Sequence, residues 1–145
     1  KIMKIATIFC TTLFAVLLAT SCSTPSNTVK LKTANNASLT NQSWFLVSNN
    51  DVVKGLYDKD VSLIIDEQNA TVSGFAGCNN FTATYTKSNG VISFFNVSET
   101  KMACPTTAKE KAFFSMLKNV NRYEINGKEL LLYKGNILLM TFKTI

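Results

Sequence analysis

The stretch from Ser73 to Phe81, SGFAGCNNF, combines a cysteine, two asparagines and two glycines between two strand-like runs. Cys78 in this stretch could be a nucleophile, a metal ligand or one half of a disulfide. A nucleophilic thiolate needs a lowered pKa or a neighbouring base, usually histidine, and the chain contains no histidine. A tetrahedral metal site needs about four ligands, more than Cys78 and Cys104 can supply. The sequence therefore favours neither a catalytic thiol nor a metal site.

The N-terminal segment has the parts of an export signal. Lys1 and Lys4 begin it, an apolar run extends from Ile5 to Leu18, and small residues lead to Cys22. A basic start, a short apolar run and small residues before a cut are typical of secretory signals. The run, about 14 residues, is shorter than the roughly 20 that span a bilayer, and a retained anchor helix is the alternative. A small residue directly before Cys22 resembles a bacterial lipobox, and this looser form, ending in Ser-Cys, resembles the boxes of Bacteroidetes lipoproteins.

These features predict a lipid-anchored envelope protein. Residues 1–21 are the predicted signal peptide, and Cys22 is the predicted first residue of the mature protein, acylated and held on the membrane by its acyl chains. Residues 22–38 are polar and read as a flexible tether. No acidic residue follows Cys22 until Asp51, which favours an outer-membrane protein that faces the periplasm.

The cysteines that remain after processing favour a disulfide. The chain has four cysteines, of which Cys10 would leave with the signal and Cys22 would be acylated. In an oxidising envelope the remaining two, Cys78 and Cys104, most often pair. Closing a loop of about 26 residues would stabilise the fold by roughly 3–4 kcal/mol. A free reactive thiol and a redox-active pair are the alternatives, although no C-x-x-C motif occurs.

The carboxylates give no convergent acid–base pair. Asp66 and Glu67 adjoin in a turn-rich cluster, where their side chains would diverge. Glu99 and Glu110 flank the segment that contains the last cysteine. Thr107 and Glu110 have the spacing of a capping box, so the sequence predicts that Glu110 caps a helix.

Composition limits the class of partner. The mature part beyond the tether, residues 39–145, has the size of one domain with a single core. The chain has 15 basic and 9 acidic residues and a net charge of +6, but its lysines are scattered. Nucleic-acid binding needs a concentrated basic face, so no nucleic-acid partner is expected.

Short alternating runs separated by turn residues predict an antiparallel, curved sheet. The predicted strands are 43–47, 61–65, 70–74, 81–85, 91–95, 122–125, 130–133 and 137–142, with residues 49–59 as a polar connection. Phe81, Ala83 and Tyr85 fall on one face of their strand. A single helix after Pro105 makes the fold α+β.

The helix carries an apolar stripe of Phe113, Met116, Leu117 and Val120 at helical spacing. Such a stripe packs into a core far more often than it lines a ligand groove, and core packing is the prediction. The same choice between core and pocket concerns four aromatic residues of the sheet, for which a core is again expected: Phe75, Phe81, Tyr85 and Phe94.

Two separated motifs resemble those of the META domain, also called the HslJ-like domain. The first is Ser73-Gly74-x-Ala76-Gly77-Cys78-Asn79-x-Phe81, followed by Tyr85, and the second is Thr100-Lys101-Met102-Ala103-Cys104-Pro105, followed by Glu110. The resemblance covers residues 39–145, and its motif positions include Gly74, Gly77, Asn79, Thr100 and Pro105. It implies a small, partly open antiparallel barrel with one packed helix, and an arrangement similar to that of secretin pilot lipoproteins.

The resemblance identifies a domain family but no biochemical activity, because no common enzymatic activity is attached to the family. The prediction is a monomeric, non-catalytic lipoprotein without cofactor or metal. It would bind an envelope protein or an apolar ligand as a stress or assembly accessory. The alternative is a hydrolytic enzyme that uses carboxylates in a cleft. Convergent polar groups with perturbed pKa values in a concave site would distinguish the enzyme.

Overall fold

A computed structural model describes residues 37–145 of the chain. The predicted signal peptide, Cys22 and all but the last two residues of the predicted tether lie outside these residues. These residues form nine strands and one α-helix. The bounds of the elements are β1 Ser43–Ser48, β2 Asp51–Val52, β3 Ser62–Asp66, β4 Thr71–Phe75, β5 Asn80–Ser88, β6 Val91–Glu99, α1 Ala108–Asn119, β7 Arg122–Asn126, β8 Glu129–Lys134 and β9 Ile137–Lys143.

All strand pairs in this part of the chain are antiparallel, and the strands form one curved sheet. Its order is β6-β5-β4-β3-β1-β9-β8-β7, with β2 paired to β1. The sheet is not closed, since β6 and β7 are its two outer strands. The Tyr123 N–H of β7 donates to the carbonyl of Gly90, in the turn before β6, at 2.8 Å. The structure confirms a curved antiparallel sheet with one helix.

The strands form where the sequence alternates. On β5, Phe81, Ala83 and Tyr85 are buried while Thr82 is exposed, as a strand with one buried face requires. The hairpin from β5 to β6 turns at Asn89-Gly90, and both residues have positive φ angles, 33° and 80°. Asparagine and glycine tolerate this conformation best, which explains why the chain reverses here.

The outer strand β6 is interrupted by a bulge. Thr82 pairs with Ser98 but Thr84 pairs with Phe95, so β6 has one extra residue between these pairs. Asn96 lies in the bulge with φ of 53°. Its side-chain amide donates to the Thr84 hydroxyl at 3.1 Å, and that hydroxyl donates to the Phe95 carbonyl at 3.2 Å.

The core lies between the concave face of the sheet and α1. Phe81 meets two helix residues, with ring centroids 5.4 Å from Phe113 and 5.7 Å from Phe114. Trp44 is fully buried, and its indole N–H donates to the Leu39 carbonyl at 2.9 Å. Aromatic pairs in this geometry add about 0.5–1.5 kcal/mol each beyond their burial. Phe81, Tyr85 and Phe94 belong to this core, as predicted. Phe75 is also buried, and the Lys59 ammonium lies 4.4 Å from its ring centroid.

Two local predictions are wrong. Residues 49–59 are more than a connection, because β2 and a short 3-10 turn at Leu56–Asp58 lie within them. The predicted capping box does not form: Thr107 is the N-cap residue but its side chain makes no capping hydrogen bond. The Glu110 side chain is instead buried among other elements. Within residues 37–145, α1 is too short and too polar to cross a bilayer, and no other helix of this part could do so.

Candidate functional site

Asn79 and Glu110 form a buried polar pair at the end of the sheet where α1 begins. The Asn79 backbone N–H donates to one carboxylate oxygen of Glu110 at 2.6 Å, and its side-chain amide donates to the other at 2.9 Å. Both residues are about 95% buried. A buried carboxylate is costly unless hydrogen bonded, and two charge-assisted bonds from one residue satisfy both oxygens of Glu110.

The Asn79 side chain also holds the segment that follows β6. Its carbonyl oxygen accepts from the Thr100 hydroxyl at 2.9 Å and from the Met102 backbone N–H at 2.8 Å. Thr100 is fixed a second time, since its hydroxyl accepts from the Asn80 N–H at 3.2 Å. One asparagine thus joins the β4–β5 loop, the segment after β6 and the helix. The sequence identified Asn79 as a motif position, and the bond to the helix could not be found from its neighbours in the chain.

The disulfide strengthens the same junction. Cys78 and Cys104 are bonded, with Cα atoms 6.2 Å apart, as the cysteine count indicated. The Asn79 amide nitrogen lies 3.4 Å from the Cys104 sulfur. The Cys78 sulfur is therefore bonded in this structure and is not a free thiolate.

Two glycines allow the loops at this end to touch. Gly77 has φ of +116°, which disfavours any residue with a side chain. A methyl group on Gly55 would lie 2.2 Å from the Gly77 carbonyl oxygen, and the Leu56 N–H donates to that same oxygen at 2.6 Å. The motif glycine Gly74 lies inside β4, where a side chain would collide with the Ser62 carbonyl 2.0 Å away.

These loops and α1 enclose an open cleft of about 770 Å³. Its lining is mainly apolar, and the apolar residues are Leu46, Val52, Val53, Leu56, Val61, Ala76, Pro105, Ala112, Phe113 and Met116. Met116 and Phe113 belong to the helix stripe that the sequence assigned to the core. Phe113 is buried and Met116 is half-buried, so the stripe both packs the core and forms one wall of the cleft.

Charged groups lie at the cleft margin. Lys54, Lys109 and Asp51 line it, together with the buried Glu110. The Lys54 ammonium is 2.5 Å from a carboxylate oxygen of Asp60. This hydrogen bond raises the pKa of Lys54 above its usual range, so the lysine stays protonated. Within residues 37–145, no three His, Cys, Asp or Glu side chains are grouped as metal ligands.

The remaining motif residues differ in burial and contact. Pro105 is exposed at the cleft margin.

The side chains of Asp66 and Glu67 diverge as predicted, since Asp66 is hydrogen bonded to Asn69 and Glu67 to Lys87. The sequence missed the loop around Leu56 as a wall of the cleft. The adjacent Gly55 was the available signal.

The comparisons with known proteins agree with this geometry. The META domain family model matches residues 37–144. The chain belongs to the META domain family. A comparison with curated proteins found no match.

Two solved structures share the META domain fold of this chain. An NMR structure of a protein from Burkholderia xenovorans is 23% identical with a TM-score of 0.58, covering 74% of this chain and 83% of that one. A second NMR structure is 20% identical with a TM-score of 0.53, covering 70% of this chain and 87% of that one. At these identities the likeness concerns the fold alone.

Proposed function

We propose that this META domain protein is a non-catalytic, HslJ-like lipoprotein of a bacterial cell envelope of the Bacteroidetes type. It binds an apolar segment or ligand in the cleft between α1 and the loop around Leu56, as a monomeric stress or assembly accessory. The carrying observation is the cleft itself, about 770 Å³ with mainly apolar walls. Ligand pockets in proteins typically enclose about 300–1,000 Å³ and have mostly apolar linings.

The hydrogen bonds and the disulfide of the polar residues at the cleft favour ligand binding over hydrolysis. A hydrolytic site needs a nucleophile or base with a shifted pKa near a second functional group. In the cleft wall, the hydrogen bond from Lys54 to Asp60 raises the pKa of Lys54. The raised pKa keeps this lysine charged and unable to act as a base. Cys78 is bonded in the disulfide, and both oxygens of Glu110 accept hydrogen bonds from Asn79.

The position of the cleft suits a tethered protein. At the start of the domain, the Ala37 N–H donates to the carbonyl of Gly127 in the β7–β8 turn at 2.7 Å. β1 begins at that end of the sheet and ends beside the cleft, which Leu46 and Ser48 line. In our proposal the chain from the lipidated Cys22 enters the domain at Ala37, away from the cleft, and the protein faces the periplasm.

Fluorescence of an apolar dye tests the cleft. N-phenyl-1-naphthylamine should brighten on addition of the domain, and Leu56→Asp should remove most of that signal because it places a charge in the apolar wall. Ile137→Asp is the matched control, since Ile137 is 66% exposed at the start of β9 and does not line the cleft. Equal loss of signal in both variants, or no signal from the wild-type domain, would refute the proposal.

A further inference from the structure

The basic side chains of α1 lie on its outer surface, and its one acidic side chain faces inward. Lys109, Lys111 and Lys118 are exposed, whereas Glu110, the one acidic residue of the helix, is turned inward to Asn79. A surface helix usually mixes charges of both signs, since oppositely charged neighbours stabilise it. The charged side chains that this helix exposes are therefore all basic, without acidic side chains to offset them.

Two of these lysines line a second groove, which we call the basic groove. It encloses about 600 Å³ between α1 and the end of β6 with the segment that follows. Lys111 and Lys118 lie on its helix side, and Lys101 on the opposite side. Within residues 37–145 none of these three lysines takes part in an ion pair. Glu99 is the exposed carboxylate of the groove lining, so basic groups outnumber it three to one at the surface.

The groove also has an apolar component. Phe114 is 8% exposed, Val97 is half-buried, and Met102 is 48% exposed. Because the Met102 backbone is held by Asn79 at 2.8 Å, its exposed side chain is presented from a fixed segment. Methionine adapts its shape to varied apolar partners. The groove thus offers an apolar strip between lysines.

We propose that the basic groove docks an extended, acidic segment of a partner protein that carries one or two apolar side chains. Complementary charge would steer and orient the segment, and its apolar side chains would contact Met102 and Val97. Thr107 and Lys118 at the groove ends are 11 residues apart on the helix, about 17 Å at roughly 1.5 Å per residue. An extended chain covers that length with about five residues. An anionic membrane is the poorer fit, because a flat surface does not enter a groove.

Selection from a library of randomised ten-residue peptides tests this site on the full domain. Captured peptides should be enriched in Asp and Glu beside apolar residues. The strongest of them should shift the amide signals of residues 97–102 and 111–118 in NMR titrations. Lys111→Gln with Lys118→Gln should weaken its binding roughly tenfold at low salt, and added salt should weaken wild-type binding as well. The matched control is Lys128→Gln with Lys143→Gln, which removes the same charge outside the groove lining and should leave affinity within about twofold.

Three outcomes would overturn the proposal. The selected peptides could lack acidic residues, both double variants could weaken binding equally, or the shifted amides could lie around the first cleft near Leu56. Phosphatidylglycerol vesicles provide the comparison with a membrane. Vesicle binding that depends on Lys111 and Lys118, together with no selection of acidic peptides, would assign this surface to anionic lipid instead.

Discussion

Asn79 donates two hydrogen bonds to Glu110 across 31 positions of sequence, one from its backbone and one from its side chain. The pair joins the loop before β5 to the first turn of α1. Its geometry requires two acceptor oxygens on residue 110 and an amide on residue 79. The pair therefore fixes the start of α1 against the sheet, beside both the cleft and the basic groove.

Glu110→Gln should lower the free energy of unfolding by about 1–3 kcal/mol. Glutamine offers one acceptor oxygen, so one of the two buried donors of Asn79 loses its partner. Urea unfolding measures the change. Glu99→Gln is the matched control, because Glu99 is exposed at the end of β6 and should change stability by less than about 0.5 kcal/mol. Equal effects of the two substitutions would contradict the role given to Glu110.

Removing the disulfide and the asparagine together should cost less than the sum of the separate changes. The Cys78–Cys104 bond and the Asn79 hydrogen bonds hold the same segment, so losing one loosens the contacts that the other makes. A double-mutant cycle compares the Cys78→Ala, Cys104→Ala double variant with Asn79→Ala and with all three changes. We expect a coupling free energy of about 0.5–3 kcal/mol. Strict additivity would mean that the two constraints act independently.

Asp66 should make the domain more stable at neutral than at acidic pH. Hydrogen bonds from the Asn69 side chain, and then from the backbone of Asn69 and Gln68, hold the pKa of Asp66 below its usual value. A carboxyl whose pKa is lower in the folded state stabilises the fold above the unfolded pKa of about 3.9. That stabilisation is lost as the pH falls through the folded pKa. Asp66→Asn and Asn69→Ala should each reduce the difference between the urea midpoints at about pH 5 and about pH 2.5. An unchanged difference in both variants would refute this assignment.

Cys22→Ser should release the full-length protein from the membrane fraction of the producing bacterium. A serine cannot carry the acyl chains of a lipoprotein, and without them the predicted tether has no anchor. Detergent phase partitioning with mass spectrometry of the mature N-terminus measures the outcome. Ser21 must stay unchanged because it belongs to the proposed signal, and Ser23→Ala serves as control. Membrane retention of a Cys22→Ser protein that has lost residues 1–21 would contradict lipid anchoring at this residue.

Much of the sheet could be predicted because its strands are marked locally. The alternation of Phe81, Ala83 and Tyr85 and the turn at Asn89-Gly90 depend only on neighbouring residues. The role of Glu110 could not be found in this way, since its partner lies 31 positions away and its local spacing to Thr107 fits a capping box equally well. The loop around Leu56 was missed as a wall of the cleft for the same reason, because the contact of Gly55 with Gly77 exists only after the sheet has formed.

The bulge at Asn96 has a consequence for the protein at high local concentration. An outer strand that lies straight can pair with the same strand of another molecule and begin an aggregate. Thr84 on the neighbouring strand β5 holds the bulge in place, because its hydroxyl is hydrogen bonded to the Phe95 carbonyl and to the Asn96 amide. The irregular edge is therefore a fixed property of the fold. Copies crowded on one surface would therefore meet at β6 without a regular ladder of backbone groups along which to join.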